Sequence, residues 1–400
     1  MQPSAAEQVN QEMVDRLIAL GALWSPPLIA AFRATPRHRF LDRVFHYQRK
    51  HDHWNEVITR DPGPEELRLV YSDRALITRL SPARRGEPAV PISSSSQPSL
   101  MAQMLEDLKP APGQRVLEVG AGTGYNAALL AHVVGPGGVL SIDVDRQVLA
   151  EAWDHLRAFP ERRVELRHAD GRCGYAEAAP FDRIMVTAAT PDLEPAWLEQ
   201  LAPGGLLLAP LVIAPGLAFV VRGTAADGGF DGGLTRAAYF MPLRAEDEAG
   251  PPEGPPPPSS PLRKVRAPYA SFFEKRRPRH GWHGFAQSLA FYAWLRGLTV
   301  SYQVLADGQP TFGVSDPHLN CVCWLGSPHW FVEGQTGYEL GYQLWRGFLD
   351  AGGPWPTEFR LRADPRGGLE PAGEESYLRH GPRCQQLWQL LQPRDRPAWI

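Results

Sequence analysis

The sequence predicts an α/β fold built on a doubly wound, mostly parallel sheet, with helices ahead of it and a smaller α+β unit behind it. Three observations carry that expectation. Between residues 98 and 245, apolar runs of strand length alternate with segments of helical period, the order a parallel sheet requires. Within that stretch a strand runs into a glycine turn and straight on into a helix. Finally, 400 residues are too many for one compact core, and a proline-rich stretch at 245–261 divides the chain.

The elements follow in order. Val9, Met13, Leu17 and Leu20 share one face of a helix over 9–24, which Pro26-Pro27 stops, and a short second helix is expected over 27–33. Residues 49–87 are polar and aperiodic and read as an irregular covering segment. Helix 98–108 then precedes strand 115–119, helix 125–134, strand 139–143, helix 146–159 and strand 164–168. Buried strands are expected at 181–189 and 204–212 around a helix at 194–201. Val220-Val221 and the run 236–241 supply an antiparallel edge. Residues 246–261 form a linker of partly polyproline character. Beyond it, 262–400 make up an accessory unit with helical patterns at 285–295 and 341–349 and a strand at 321–325. The units are therefore 1–245 (N-terminal helices 1–90, core 91–245), the linker, and 262–400.

Composition removes several function classes. The chain has 40 Pro and 38 Gly, but no Gly-X-Y period, and its 12 Trp, 11 Tyr and 16 Phe supply a core that a disordered chain lacks. Its basic residues are almost all Arg. A net charge of −3 makes no global case for nucleic acid or an anionic membrane. The N-terminal stretch lacks a basic region followed by an apolar one, and no apolar run approaches the roughly 18 residues that span a bilayer. Four cysteines are too sparse for a disulfide framework, so a cytoplasmic protein is expected.

The sharpest local signal is VLEVGAGTGYNAALLA at 116–131. Gly120, Ala121, Gly122, Thr123 and Gly124 form a turn where a side chain would collide with a bound ligand. Asp143, with Val144 beside it, ends the next strand and lies 23 residues after Gly120, in position to bind both hydroxyls of a ribose. The third glycine follows after one intervening residue, whereas the dinucleotide fingerprint has two. That spacing, with Glu118 two positions ahead, favours S-adenosylmethionine over a nicotinamide dinucleotide. HADGR at 168–172 places Asp170 and Gly171 where the carboxylate can accept a bond from an adenine amino group. The competing reading is a glycine turn in an α/β core with no ligand.

With these residues in place, the chain resembles the protein-L-isoaspartate O-methyltransferase family over about residues 10–245. ATPRHRFLD (34–42) is similar to that family's VPR-x-x-F segment, and SSSSQPSLMAQMLEDL (93–108) to its T-I-S-Q-P stretch leading into a helix. HADGRCGYAEAAPFDRIMVTAA (168–189) and LEQLAPGGLLLAPL (198–211) match its later motifs in the same order. Two departures stand out: Ser94-Ser95 replace the family's Thr-Ile ahead of Ser96, and the chain continues past the point where members usually end. The resemblance implies a Rossmann-like class I methyltransferase sheet, S-adenosyl-L-methionine as cofactor, and methyl transfer to a peptide carboxylate.

That reaction needs no catalytic base, because a carboxylate with pKa near 4 is already ionised at neutrality. Rate comes from holding its oxygen in line with the transferable methyl. Ser96 is the expected orienting group, with Ser94 and Ser95 as helpers and the start of helix 98–108 favouring an anion nearby; a polar loop capping that helix is the alternative. Arg37, His38 and Arg39 are candidates to cover the substrate, or else a solvated turn. Tyr125 is expected to pack over the methionine part of the cofactor, and Cys173 to be a small buried residue.

No metal is expected. His318, Cys321, Cys323 and His329 lack the spacing of a structural zinc site. Seven Lys or Arg against one acid in 262–283 read equally as a solvated basic stretch or as a dock for an acidic peptide. The partner is a peptide or protein bearing aspartate or isoaspartate. An added unit suits one dedicated substrate better than general repair, and similar extended methyltransferases accompany ribosomally made peptide natural products (RiPPs). The methyl ester can close to a succinimide. A general isoaspartyl repair enzyme is the first alternative, and a non-catalytic peptide-binding scaffold the second.

Overall fold

The computed structural model describes residues 4–48, 53–82, 89–226, 228–245, 262–270, 281–304, 310–316, 318–319, 321–333, 336–371, 373 and 375–392. The expected linker 246–261 and residues 271–280 of the basic stretch lie outside the described residues.

Helices α1 (Ala5–Ala19) and α2 (Pro26–Ala34) open the chain. Ser4 caps α1 in a reciprocal pair with Glu7, and the helix ends at Leu20 and Gly21, before the prolines. Strand β1 (Arg43–Gln48) pairs with β2 (His53–Ile58), which with helix α3 (Pro64–Val70) and strand β3 (Leu76–Leu80) lies in the segment 49–87 expected to be irregular. With β4 (Pro91–Ser95) they make a four-stranded sheet in the order β2-β1-β3-β4. Only Val44 among the hairpin's described residues is buried, so it carries little of the apolar alternation by which a strand is recognised.

Helix α4 (Pro98–Leu108) leads into the core, with β5 (Val116–Val119), α5 (Tyr125–Val134), β6 (Val139–Asp143), α6 (Arg146–Leu156), β7 (Glu165–His168), β8 (Phe181–Val186), α7 (Pro195–Glu199) and β9 (Leu201–Ala214). Strands β9, β8, β5, β6 and β7 are parallel neighbours. All four residues of β5 are buried, Glu118 among its three apolar residues. Beyond β9 the sheet turns antiparallel through β10 (Leu217–Ala226), longer than the expected 220–221, and β11 (Gly229–Ala237), which ends before most of the strand expected at 236–241.

After residue 262 the chain forms β12 (Arg263–Arg266), α8 (Gly281–Leu295), β13 (Thr299–Val304), β14 (Pro310–Ser315), β15 (Val322–Leu325), β16 (His329–Glu333) and α9 (Gly337–Asp350). These strands form a separate antiparallel sheet, β12-β16-β15-β14-β13. The last strands, β17 (Phe359–Asp364), β18 (Ser376–His380) and β19 (Gln385–Leu390), do not join it. They extend the core sheet to ten strands in the order β18-β19-β17-β11-β10-β9-β8-β5-β6-β7. The expected division at 246–261 therefore falls between segments that share one sheet. Helix α8 closes the join: the Phe291 ring lies 5.9 Å from Phe219, 5.4 Å from Phe359 and 5.4 Å from Trp388. Cys173 is exposed, contrary to expectation, because it sits in a short 3-10 turn after β7 and not in the sheet.

Candidate cofactor and active site

The chain enters the sheet at β5, builds outward to β6 and β7, and returns on the other side of β5 at β8, which makes β5 the switch point where a crevice opens beyond the strand ends. A cavity occupies that place. Its wall includes Gly120 through Thr123 after β5, Asp143 and Val144 after β6, Thr187 and Ala188 after β8, and Ser93 through Ser96 from β4.

The glycine turn is shaped for close approach. Gly120 has φ +98°, and a Cβ there would sit 2.5 Å from the Thr187 hydroxyl oxygen. Gly120 and Ala121 both donate backbone N–H bonds to the Ile142 carbonyl, at 2.8 and 3.0 Å, which fixes the turn against β6. Gly122 has φ +51°, and a Cβ there would lie 3.7 Å from the Ser94 carbonyl oxygen, so the serine strand passes directly beside the turn. Asp143 is held by two backbone donors, Gly122 N at 3.2 Å and Asp145 N at 3.0 Å. Burial pushes its carboxyl above the ordinary aspartate range and these two bonds oppose that rise.

Glu118 has no exposed surface, and both of its oxygens are engaged, by Asn126 Nδ2 at 2.7 Å and Ser141 Oγ at 2.5 Å. It braces the turn from below. Burial pushes its carboxyl up to about 7, against those hydrogen bonds. A raised carboxyl pKa makes the folded state hold a proton that the unfolded state has released, so this group lowers stability as pH rises from 4.5 to about 7. Glu118→Gln removes that proton linkage. Its Tm should therefore fall less than the wild-type Tm across this interval, and parallel melting curves at every pH would contradict the assignment.

Tyr125 is buried against Phe32 and Phe40, with ring centroids 6.3 and 5.4 Å away. Its hydroxyl and Asn126 Oδ1 are buried with no hydrogen-bond partner among the described residues, and both residues line the cavity. Val144 is fixed through its carbonyl, which accepts from His168 Nε2 at 2.9 Å. Asp170 is placed differently from expectation. Its carboxylate is turned onto Arg172, with Nη2 2.6 Å from Oδ2, and Gly171 rather than Asp170 reaches the cavity wall.

In the serine strand, side chains alternate between faces. Ser93 through Ser96 all line the cavity; Ser93 Oγ accepts from Thr78 Oγ1 at 3.1 Å, whereas Ser94 and Ser96 are half-buried. Ser95 is buried, and its hydroxyl accepts from Arg37 Nη2 at 3.3 Å. Arg37 itself is fully buried and donates to the carbonyls of Val70 (2.7 Å), Ser72 (3.2 Å), Arg74 (3.2 Å), Ser95 (3.3 Å) and Ser96 (2.9 Å). Burial lowers its pKa to about 10, which leaves it charged at neutrality. Arg37 is thus a brace for the serine strand, with its donors directed to protein oxygens and not to a substrate. His38 Nδ1 lies 2.7 Å from the Tyr71 hydroxyl and Arg39 is exposed; neither lines the cavity. At the N-terminus of α4, Asp73 already accepts from Ser99 N at 2.9 Å and Gln97 Nε2 at 3.1 Å, so the anion favoured there is the protein's own.

The sequence reading missed the strap Phe240–Arg244, which closes one side of the cavity. Leu243 N donates to the Ala189 carbonyl and Ala189 N to that of Met241, both at 2.7 Å, and Arg244 Nη2 reaches the Ile92 carbonyl at 3.1 Å. Asn126 and Thr187 were missed as well. Only their place beyond adjacent strand ends points to them. Taken together, the glycine cradle, the anchored Asp143 and the unpartnered polar atoms of Tyr125 and Asn126 fit an S-adenosylmethionine molecule.

Comparison with known proteins gives concordant results. The family model described as Protein-L-isoaspartate(D-aspartate) O-methyltransferase matches residues 68–245. A protein-L-isoaspartate O-methyltransferase of Methanopyrus kandleri is 35% identical over 206 residues, covering 51% of this chain and 77% of that protein. Protein-L-isoaspartate O-methyltransferase 1 of Anaeromyxobacter sp. is 44% identical over 190 residues, covering 46% and 87%. A solved structure described as a protein-L-isoaspartate O-methyltransferase overlaps 90% of this chain and 97% of its own, with TM-score 0.52 and 23% identity. That overlap shows a shared fold, and it extends well past residue 245.

Proposed function

The chain belongs to the protein-L-isoaspartate O-methyltransferase family of S-adenosylmethionine-dependent carboxyl methyltransferases, and from that premise we propose that it methylates an aspartyl or isoaspartyl side chain in one dedicated, modified peptide precursor. The observation that carries the site assignment is the serine strand lying beside the glycine turn, with Ser94 and Ser96 on the cavity wall. When bound, S-adenosylmethionine supplies an electrophilic methyl group. The protein's part is positional. Ser96 donates to one carboxylate oxygen and leaves the other to attack, Ser94 serves as a second donor, and Arg37 holds the strand rigid from behind. No residue needs to remove a proton, in keeping with a cavity whose two acids, Glu118 and Asp143, are both occupied by protein donors.

The product is a methyl ester. The following backbone nitrogen can attack the ester carbonyl, expelling methanol and closing a five-membered succinimide. Opening of that ring by water is the repair outcome; retention of the ring or ester is the tailoring outcome. The dedicated substrate is supported by the serine run that replaces the family's Thr-Ile. Length alone adds nothing, because the likeness to a solved structure already takes in the extension. Among the described residues no helix is long and apolar enough to cross a membrane.

Incubation with S-adenosylmethionine and a set of unrelated isoaspartyl peptides tests the proposal: rapid methylation of all of them supports general repair and overturns the dedicated substrate. Absence of S-adenosylmethionine binding would leave a peptide-binding scaffold. Ser96→Ala removes one bond to a charged group, worth about 1.5–3 kcal/mol, so kcat should fall roughly 10- to 100-fold while S-adenosylhomocysteine affinity stays unchanged. Wild-type kcat in that variant would remove Ser96 from the mechanism.

A further inference from the structure

A second, more open groove adjoins the cofactor cavity. Ser94, Ser96, Phe240 and Met241 wall both, so the groove begins where the acceptor carboxylate must lie. One side is the edge strand β4, which pairs with β3 and with no other strand among the described residues. The groove mixes apolar and amide surface, as an extended chain requires: Ile77 and Leu100 lie in its wall beside Gln97 and Gln103.

Its far wall holds Tyr239, a ring that is 55% exposed yet fixed by its hydroxyl. Tyr239 Oη donates to the Gly216 carbonyl at 2.6 Å and accepts from Gln287 Nε2 of α8 at 3.0 Å. Gly216 is itself packed beneath Tyr302 of β13, where a Cβ would come within 2.2 Å of that ring. Two elements from beyond the linker therefore set the position of an aromatic side chain in a groove that neither of them lines. Exposed aromatic rings held rigidly contribute contact area at small entropic cost, and such residues dominate recognition surfaces.

We propose that Tyr239 is a specificity-determining residue that contacts the peptide beside its acceptor aspartate, and that Gln287 is the positioning residue through which the C-terminal unit acts on substrate choice. The peptide lies extended along β4 with the acceptor side chain passing between Ser96 and Met241 into the cofactor cavity. This inference rests on the carboxyl methyltransferase reading for the identity of the occupant.

Binding, not turnover, tests it. Hexapeptide pools with a central aspartate or isoaspartate and varied flanks are retained on S-adenosylhomocysteine-loaded protein and sequenced by mass spectrometry. The wild type should enrich particular residues at one flanking position. Tyr239→Ala should lose at least tenfold of that enrichment, and Gln287→Ala a smaller part, with S-adenosylhomocysteine affinity unchanged in both. In a Tyr239→Phe background the hydroxyl is already gone, so Gln287→Ala should add nothing, a coupling that general structural damage would not produce. Lack of enrichment by the wild type, the same preference in Tyr239→Ala, or additive effects of the two substitutions would each overturn the proposal. Peptides that are retained but remain unmethylated when S-adenosylmethionine is supplied would contradict the reaction and leave the groove assignment standing.

Discussion

Asp143→Ala is expected to weaken S-adenosylhomocysteine binding roughly 100- to 10,000-fold, measured by titration calorimetry, with little loss of thermal stability. Two effects combine. In the proposed binding mode the carboxylate accepts from a ribose diol, and a pair of hydrogen bonds to a charged group is worth about 1.5–3 kcal/mol for each member. The same carboxylate holds Gly122 N and Asp145 N, so its loss also frees the turn that the ligand packs against. Stability should change little because burial already disfavours the charged carboxyl, and removing it relieves that cost while two backbone bonds are lost. Asp143→Asn keeps one acceptor oxygen and should fall between. Asp170→Ala should weaken binding less, because its carboxylate is engaged with Arg172. Equal losses for Asp143→Ala and Asp170→Ala would contradict this ranking of the two acids.

The difference between those two acids shows what a linear sequence displays and what it hides. The glycine turn, Glu118 and Asp143 are legible because strand, turn and helix are consecutive, so spacing alone places them. Asp170 has the right spacing too, but its partner Arg172 competes locally, and spacing does not report which bond a side chain makes. Arg37 is harder still. A lone arginine in a polar segment reads as surface, and its burial depends on carbonyls from Val70 to Ser96 that only the tertiary fold brings together. The strap Phe240–Arg244 has no period and no charge pattern; it matters because of where β11 ends. Hairpin β1–β2 escaped notice because only Val44 among its described residues is buried, which removes the alternation by which strands are recognised.

The most consequential surprise concerns the C-terminal strands, and it predicts a large effect at a residue outside every motif. Asp192 follows β8, is fully buried, and receives four bonds. Leu193 N (2.8 Å) and Gln386 Nε2 (2.7 Å) donate to one oxygen, and Arg383 N (2.7 Å) and Cys384 N (2.8 Å) to the other. Beside it the Arg383 guanidinium pairs with Glu194 at 2.6 Å. The turn between β18 and β19 is thereby fastened to a core loop nearly two hundred residues earlier. Asp192→Ala strands these donors in a buried site, at a cost of about 3–5 kcal/mol, and Tm should fall by roughly 5–10 °C. Asp192→Asn can satisfy only part of the set and should show a smaller drop. The loss should be local first: amide exchange should accelerate in β17–β19 before it does in β5 and β8, and S-adenosylhomocysteine should still bind, because Asp192 lies outside the cofactor cavity. A Tm within 2 °C of wild type, or uniform acceleration across all ten strands, would show that the C-terminal strands are held by packing around Phe291 and Trp388 rather than by this buried carboxylate.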